Sequence, residues 1–251
     1  MRKIIFFIGM IFLFVSCGLE KKSEPQIILH RDIVVMVDDT EGGLYQWSDF
    51  LNSDDLVNLF TTAEGKQYYG SVTFTGINDV SLNRIQTAKL AEPVLFTKKG
   101  ATKFSRTLAE RKNEKARAES LVKVSDLYKS FMDKNSLGVK KNSILYQPIA
   151  KGINRLASSK ADEKILIILS DMIENSGCGN FYRATAQNYP KIIADLIACS
   201  KITITPNSGV KVIVLFRTNS PEKDKYFVKS MEIWDILFQK AGIKYEVLPN
   251  L

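Results

Sequence analysis

Short apolar runs rich in β-branched residues alternate, along most of the chain, with longer segments in which apolar residues recur every three or four positions. Runs of the first kind are typical of strands buried on both faces, and segments of the second kind are typical of amphipathic helices. The clearest run is Lys164–Ser170, and Asp32–Val37 is similar. The predicted strands are Asp32–Val37, Tyr68–Thr75, Pro93–Thr97, Lys164–Ser170, Val210–Phe216 and Ile243–Leu248.

The helical segments lie between these runs. The longest carries an apolar stripe formed by Leu121, Val124, Leu127, Tyr128 and Phe131. The predicted helices are Asp54–Phe60, Phe104–Lys134, Ser143–Ser158, Pro190–Cys199 and Lys223–Ala241. This alternation predicts an α/β fold with a mostly parallel central sheet and helices on both faces, as in Rossmann-like folds. Ligands of such sheets bind at the carboxyl ends of the strands, so the residues after Val37, Ser170 and Phe216 are the candidates for function.

Acidic and hydroxyl residues stand at two of these strand ends. Asp38-Asp39-Thr40-Glu41-Gly42 follows the first strand, and Leu169-Ser170-Asp171-Met172 ends the strongest one. Together with Ser143, this set resembles the von Willebrand factor A domain, in which the first strand ends in Asp-x-Ser-x-Ser and later loops supply a Thr and an Asp. The resemblance covers residues 32 to 251 in the order and length of the elements, and it implies a three-layer fold.

The resemblance also implies a metal-ion-dependent adhesion site for a divalent cation, usually Mg²⁺, a hard ion that prefers oxygen ligands. The implied ligands are Asp38, Thr40, Ser143 and Asp171. The sequence departs from the family at Gly42, which offers no side-chain oxygen where the family has its second Ser, and Ser143 replaces the usual Thr. Without a metal, the two acids are expected to act as helix N-caps.

The N-terminus has the features of an export signal. Met1-Arg2-Lys3 is positively charged, Ile4 to Ser16 is apolar, and the run is shorter than the roughly 20 residues that span a bilayer. It ends in Phe14-Val15-Ser16-Cys17, which resembles the lipobox of bacterial lipoproteins, with Phe14 where the family usually has an aliphatic residue. The resemblance implies a signal peptide over residues 1–16 and a fatty-acylated Cys17 that anchors the chain to a membrane.

Residues 17–31 are polar and lack apolar periodicity, which predicts a tether between the membrane and a domain over residues 32–251. Gly18 is not the Asp that retains some lipoproteins in the inner membrane, which favours the outer membrane, facing the periplasm. In an oxidising compartment Cys178 and Cys199 are candidates for a disulfide between the loop after one strand and the end of the next helix.

The net charge of +8 comes from the segment between Lys98 and Lys141, which holds 13 Lys or Arg and 5 Asp or Glu. Such a segment is either a solvated helix face or a surface for lipid headgroups or an acidic partner. It lacks interleaved aromatic residues and nucleic-acid motifs, so a nucleic-acid partner is not expected.

Three enzyme classes fit the sequence poorly. The stretch Val94 to Thr97 lacks the phosphoacceptor aspartate that a receiver domain of a response regulator needs, and Asp38-x-Thr40 lacks the second acid of a haloacid-dehalogenase-type phosphatase. His30, assigned to the tether, is the single histidine, which argues against a Ser-His-Asp hydrolase and excludes a His-rich zinc site.

These observations favour a lipid-anchored binding or scaffolding module, rather than an enzyme, that docks a protein partner through the cation. Tyr45 and Trp47, close to the first loop, are candidate partner contacts or ordinary packing residues. The alternatives are an exported metal-dependent phosphoester hydrolase and a metal-free structural subunit of an envelope assembly.

Overall fold

The computed structural model describes residues 28–38, 47–61, 67–77, 85–94, 102–135, 142–217 and 220–251. The strands are β1 (Leu29–Asp38), β2 (Tyr68–Ile77), β3 (Ile85–Lys89), β4 (Glu163–Leu169), β5 (Val210–Leu215) and β6 (Lys244–Leu248). The helices are α1 (Ser53–Asn58), α2 (Lys103–Asn135), α3 (Tyr146–Ala157), α4 (Tyr189–Ser200) and α5 (Pro221–Lys240). The described part of the chain is therefore an α/β structure, and none of its helices has the length and apolarity needed to cross a membrane.

The six strands form one sheet in the order β3-β2-β1-β4-β5-β6. All neighbours pair in parallel except β2 and β3, which are antiparallel. After β1, the strands β2 and β3 are added on one side of it, and β4, β5 and β6 are then added on its other side. The order of the strands reverses between β1 and β4, and in open parallel sheets this is where ligands bind, at the carboxyl ends.

The core lies on both faces of the central strands. Every residue of β1 from Ile33 to Asp38 is buried, as a continuous apolar strand requires. On one face, Phe74 of β2 contacts Tyr128 and Phe131 of α2, with ring centroids 5.9 and 5.7 Å apart. On the other, a side chain at Gly152 of α3 would meet the methyl group of Met36.

The structure corrects one predicted strand and one predicted boundary. Pro93 and Val94 are not in a strand, and Leu95 to Thr97 lie outside the described residues. The third strand is instead β3, in which Ile85 is 52% exposed while Gln86 and Ala88 are half-buried, so its apolar pattern gives no signal of a strand. Residues 29–31, assigned to the tether, belong to β1, and the backbone N–H of His30 donates to Asp162.

An ion pair joins β1 and β4 at the amino edge of the sheet. Arg31 Nε donates to Glu163 Oε2 over 2.9 Å, and the Tyr68 hydroxyl donates to the other oxygen of the same carboxylate. Burial raises the pKa of the Glu163 carboxyl, but the hydrogen bonds from Tyr68 and Arg31 and the charge of Arg31 outweigh it, so the pKa is lowered. The contacts therefore stabilise the ionised form of Glu163 in the folded state.

A depressed carboxyl pKa stabilises the fold above the pKa of the unfolded chain, and the stabilisation is lost as the pH falls through the folded pKa. We therefore expect Glu163→Gln to lower the free energy of unfolding at neutral pH, and the difference from the wild type to shrink below about pH 4. Urea denaturation at neutral pH and at about pH 3 measures this. Glu114→Gln, at an exposed acid in the middle of α2, is the control, and an equal loss in both variants would contradict the prediction.

Candidate functional site at the carboxyl edge of the sheet

The two acids predicted as metal ligands lie at the carboxyl ends of adjacent strands. The parallel register of β1 and β4 pairs Val37 with Leu169, which places Asp38 beside Ser170, with Asp171 one residue further along. Both acids are buried, with 1% of Asp38 and 7% of Asp171 exposed. The structure therefore brings the first and the last predicted carboxylates to the same edge of the sheet, at the point where the strand order reverses.

Three separate parts of the chain meet at the Asp38 carboxylate. The hydroxyl of Ser170 donates to Oδ2 over 2.7 Å, and the hydroxyl of Ser143 lies 3.2 Å from Oδ2 and 3.5 Å from Oδ1. Hydroxyl donors of this kind offset the cost of burying a carboxylate. Ser143 lies 105 residues from Asp38 in the sequence, so only the folded chain assembles this cluster.

The loop after β4 holds Asp171 in a fixed conformation. Asp171 Oδ1 accepts the N–H of Ile173 over 2.9 Å, and the Ser170 hydroxyl that donates to Asp38 also accepts the N–H of Met172. Met172 has a φ of 60°, which is uncommon for a residue other than glycine. Its carbonyl accepts a 2.9 Å hydrogen bond from the indole N–H of Trp234. A buried side chain of α5 therefore supports the loop that carries Asp171.

Ser143 does not open a helix, as the sequence predicted, because α3 begins three residues later at Tyr146. Ser143 instead pairs with Asn175 through two backbone hydrogen bonds of 3.1 and 2.9 Å. Glu174, next to Asn175, accepts the N–H groups of Leu145 and Tyr146 at the start of α3, over 2.7 and 2.8 Å. The loop after β4 thus fixes both the position of Ser143 and the start of α3.

Sequence reasoning missed Glu174, which is 1% exposed. Its partners at the start of α3 lie 28 and 29 residues earlier in the chain, so no local capping pattern reveals it. Burial raises the pKa of the Glu174 carboxyl, the charge of Asp38 adds to the rise, and hydrogen bonds from Ser176, Tyr146 and Leu145 oppose it. Asp38, Asp171 and Glu174 all lie at or after the ends of β1 or β4 and are all buried, so this edge of the sheet concentrates acidic groups.

The donor set agrees with a small hard cation in type, and one of its oxygen–oxygen distances agrees in spacing. Neighbouring ligands of an octahedral ion with bonds of about 2.1 Å lie about 3 Å apart, close to the 3.2 Å between Ser143 Oγ and Asp38 Oδ2. Two carboxylates and hydroxyl groups are ligands that Mg²⁺ accepts. Within the described ranges, no cluster of three or more His, Cys, Asp or Glu side chains is placed to hold a metal. A cation here would therefore depend on the hydroxyl ligands as well as the acids.

Several residues of the predicted site lie outside the described part of the chain. They are Cys17, Asp39, Thr40, Glu41, Gly42 and Tyr45. Trp47, by contrast, is described and is 6% exposed. Its indole N–H donates to the backbone carbonyl of Asp38 over 3.1 Å, and its ring packs against Phe50. Trp47 thus supports the end of β1 from inside the protein and offers little surface to a partner.

A disulfide closes the loop that follows the site. Cys178 and Cys199 are bonded, with Cα atoms 5.5 Å apart, and the bond joins this loop to the end of α4. Their sequence separation of 21 residues corresponds to a stabilisation of about 3 kcal/mol through the restricted unfolded chain. The bond therefore ties the chain shortly after Glu174 and Asn175 to the end of α4.

We expect the double variant Cys178→Ser/Cys199→Ser to lose about 3 kcal/mol of unfolding free energy. Urea denaturation with and without a reductant measures it, because reduction should bring the wild type to the stability of the variant and leave the variant unchanged. A wild-type midpoint that does not respond to complete reduction of the bond would contradict this prediction.

Comparison with known proteins does not place the chain in a family. No family model matches it, and no curated protein matches it. Among solved structures it is similar to the human COPII-coat protein Sec24c, with 10% identity over 88% of this chain and 30% of that chain and a TM-score of 0.40. It is also similar to the pilus adhesin SpaC from Lactobacillus rhamnosus GG, with 12% identity over 89% and 28% of the two chains and a TM-score of 0.42. The chain spans less than a third of either protein, and likeness at this level assigns no function.

Proposed function

We propose that this chain is a lipid-anchored, extracytoplasmic binding or scaffolding module that docks a protein partner through a divalent cation at the carboxyl edge of its sheet. The observation that carries the proposal is the convergence of the ends of β1 and β4 and the segment before α3 on the Asp38 carboxylate, within 3.5 Å. The acylated Cys17 would hold the module at the outer membrane, facing the periplasm.

The proposed fold is the three-layer arrangement of von Willebrand factor A-like domains. Its support is the strand order, which reverses between β1 and β4, and the packing of α2 and α3 against side chains that leave β2 and β1. The side chains of paired residues in parallel strands point to the same side of a sheet, so Val35 and its partner Phe74 share one side. Met36 is the next residue of β1, and its side chain therefore points to the opposite side. This geometry supports the proposal that the two helices lie in different layers.

Asp38, Thr40, Ser143 and Asp171 would hold the cation. When bound, Mg²⁺ supplies a positive charge and a coordination position that an acidic side chain of the partner can occupy. The hydroxyl of Ser170 orients the Asp38 carboxylate, as partners of metal ligands commonly do. Glu174 fixes the start of α3, and Asn175 fixes the backbone of Ser143, so both act as positioning residues.

We expect Mg²⁺ to stabilise the wild-type protein and to leave Asp38→Asn unaffected. Asparagine keeps the size of the side chain but removes the charge that the cation needs. At ten times the dissociation constant, binding adds about 1.4 kcal/mol to the free energy of unfolding, which raises the Tm of a domain of this size by about 4 °C. Thermal unfolding across a magnesium series measures the shift.

Asp195→Asn, an exposed acid on α4, is the matched control and should keep the full shift. Ser143→Ala should reduce the shift, because it removes one predicted ligand and keeps the carboxylate. Equal shifts in Asp38→Asn and the wild type, or no shift in the wild type at millimolar Mg²⁺, would contradict the proposal.

A metal-free structural subunit is the second candidate, and one observation favours it. Asp38 already accepts hydroxyl hydrogen bonds from Ser170 and Ser143 within the protein, so the cluster is satisfied without a cation. In that case the hydrogen bonds to Asp38 serve to join the carboxyl ends of β1 and β4. Asp38→Asn would then lower the Tm by the same amount with and without Mg²⁺, which separates the two candidates.

A further inference from the structure

The first fourteen residues of α2, Lys103–Ala116, contain no buried residue, and we call them the projecting segment. The first buried residue of the helix is Arg117, whose guanidinium donates to the carbonyls of Tyr68 and Phe60 over 2.7 Å each. Further along, Tyr128 and Phe131 pack on the sheet. The part of α2 from Arg117 onward is therefore anchored in the core, whereas the projecting segment is held by two hydrogen bonds of 3.0 and 3.2 Å between the side-chain amide of Asn113 and the backbone of Val94.

The projecting segment extends beyond the amino edge of the sheet. Arg117 contacts Tyr68, the first residue of β2, and Phe131 contacts Phe74 near its end, so α2 runs in the same direction as β2. The fourteen preceding residues continue the helix by about 20 Å past the amino end of β2. Tyr68 pairs with Leu29, so β1 begins at this same edge.

The proposed lipid anchor is attached to the chain at this edge as well. Residues 17 to 28 precede β1, and a chain of this length spans at most about 40 Å when fully extended. The bilayer would therefore lie on the amino side of the sheet, within a distance comparable to the reach of the projecting segment. The carboxyl edge, with Asp38, would face away from the bilayer.

One face of the projecting segment combines apolar and basic side chains. At 3.6 residues per turn, the members of this face fall within an arc of about 100°. They are Phe104, Leu108, Arg111, Lys112 and Lys115. Phe104 is 78% exposed and Leu108 is 44% exposed, one helical turn apart. The acids of the segment, Glu110 and Glu114, fall more than about 100° from the centre of the arc, toward the side on which Arg117 meets the sheet. Glu119, one turn beyond Lys115, falls within the arc, and its carboxylate forms an exposed ion pair of 3.9 Å with Lys115.

We propose that this face of the projecting segment lies on an anionic lipid surface, so that the domain contacts the membrane directly as well as through its anchor. Phe104 and Leu108 would enter the interface, and the three cations beside them would meet lipid phosphates. The inference rests on the proposed anchor at Cys17, which brings the amino edge to the bilayer. It also accounts for two large apolar side chains, Phe104 and Leu108, that are exposed to water one helical turn apart.

The test is sedimentation of the chain from residue 18 onward with lipid vesicles. This chain keeps every core residue of the part that the structure describes, in which the core runs from Ile33 to Ile243. The probes are vesicles of pure phosphatidylcholine and vesicles of equal parts phosphatidylcholine and phosphatidylglycerol. Each cation at a charged surface contributes about a five-fold increase in partitioning. The three cations and Glu119 give the face a net charge of two, which predicts partitioning into the anionic vesicles about 25-fold above the neutral ones at low salt, falling as salt is added.

Two variants identify the face. Arg111→Gln/Lys112→Gln is expected to lower partitioning about 25-fold, and Phe104→Ser about ten-fold. The matched controls on α5 are Lys225→Gln/Lys240→Gln, which removes two exposed cations, and Val228→Ser, which removes a side chain that is 51% exposed. Both controls should partition as the wild type does, and circular dichroism should show that all variants keep their helix content.

Equal partitioning into the two kinds of vesicle, no partitioning at low salt, or equal losses in the control variants would overturn the proposal. The absence of partitioning at low salt would point to a protein partner for this helix, whereas equal losses in the control variants would point to attraction by the overall charge of the protein. Asp38→Asn should partition as the wild type does, so failure of the cation site leaves this result unchanged. Loss of membrane retention in cells on Cys17→Ala tests the anchor separately, because the vesicle assay uses chain without Cys17.

Discussion

Replacing Trp234 by alanine is expected to lower the free energy of unfolding by about 3–5 kcal/mol, the range for a large aromatic side chain in a core. Trp234 is fully buried on α5, with its ring centroid 5.5 Å from Phe238 and 6.3 Å from both Tyr146 and Phe181. Because those neighbours belong to three different elements, they cannot all move in to fill the space. Urea denaturation measures the loss.

The same residue connects the core to the candidate site. Its indole N–H holds the carbonyl of Met172, the residue after Asp171. Trp234→Phe keeps most of the packing but leaves that buried carbonyl without its donor, at a cost of about 1–3 kcal/mol. We therefore expect Trp234→Phe to weaken the magnesium-dependent rise in Tm beyond its effect on stability alone.

Tyr182→Ala is the control for these variants, since Tyr182 is an aromatic residue that is 41% exposed. It should lose less than about 1 kcal/mol and keep the magnesium response. If Trp234→Ala were no more destabilising than Tyr182→Ala, the described packing of α5 against the loop after β4 would be wrong.

Gly70→Ala is the second substitution with a large expected effect, a loss of about 3–5 kcal/mol. Gly70 lies in β2 with a φ of +131°, a conformation essentially reserved for glycine. A Cβ atom there would lie 2.2 Å from the backbone oxygen of Arg31 on β1. Both atoms belong to paired strands of the sheet, so relief of the clash requires the strands to separate.

Gly209→Ala isolates the contribution of the clash. Gly209 also has a positive φ, of 69°, but a Cβ atom there would meet no atom within 4 Å. Its loss should be about 1–2 kcal/mol, the cost of the left-handed conformation alone. Equal losses at Gly70 and Gly209, measured by urea denaturation, would show that β1 and β2 do not approach each other as described.

Hydrophobic patterning predicts the central elements well because burial on both faces dominates their composition. The predicted strand Lys164–Ser170 differs from β4 by one residue at each end, and the predicted helix Phe104–Lys134 differs from α2 by the same margin. Burial on both faces produces the continuous apolar run of a central strand, and burial of one face produces the regular apolar stripe of a helix. Each of these patterns lies within the residues of the element itself, so the sequence alone predicts the element.

Features decided by tertiary contacts could not be predicted in this way. The edge strand β3 turns Ile85 toward solvent, so its alternation carries no hydrophobic signal. Arg117 belongs to the predicted basic face, yet it is 5% exposed because two backbone carbonyls at the sheet edge accept its hydrogen bonds. Burial lowers the pKa of this guanidinium, while the charge of Tyr69 and a hydrogen bond with its side chain oppose the effect.

The candidate site contains residues that the local pattern predicts and residues that only tertiary contacts reveal. Asp38 and Asp171 could be predicted because they follow the strongest strands, and the parallel sheet brings strand ends together. The sequence does not predict the role of Ser170, because Ser170 ends the predicted strand and does not belong to a loop. Glu174 acts on residues 28 and 29 positions away, a distance at which sequence patterns carry no information about contact.

The most direct test of the cation site is a crystal structure of the protein grown with Mn²⁺, which binds the same kinds of oxygen ligand as Mg²⁺ and scatters X-rays anomalously. We expect one anomalous peak at the carboxyl edge, about 2 Å from an Asp38 carboxylate oxygen and from Ser143 Oγ. An edge without a peak at millimolar Mn²⁺, with the Ser143 and Ser170 hydroxyls still donating to Asp38, would contradict the proposal that this cluster holds a metal.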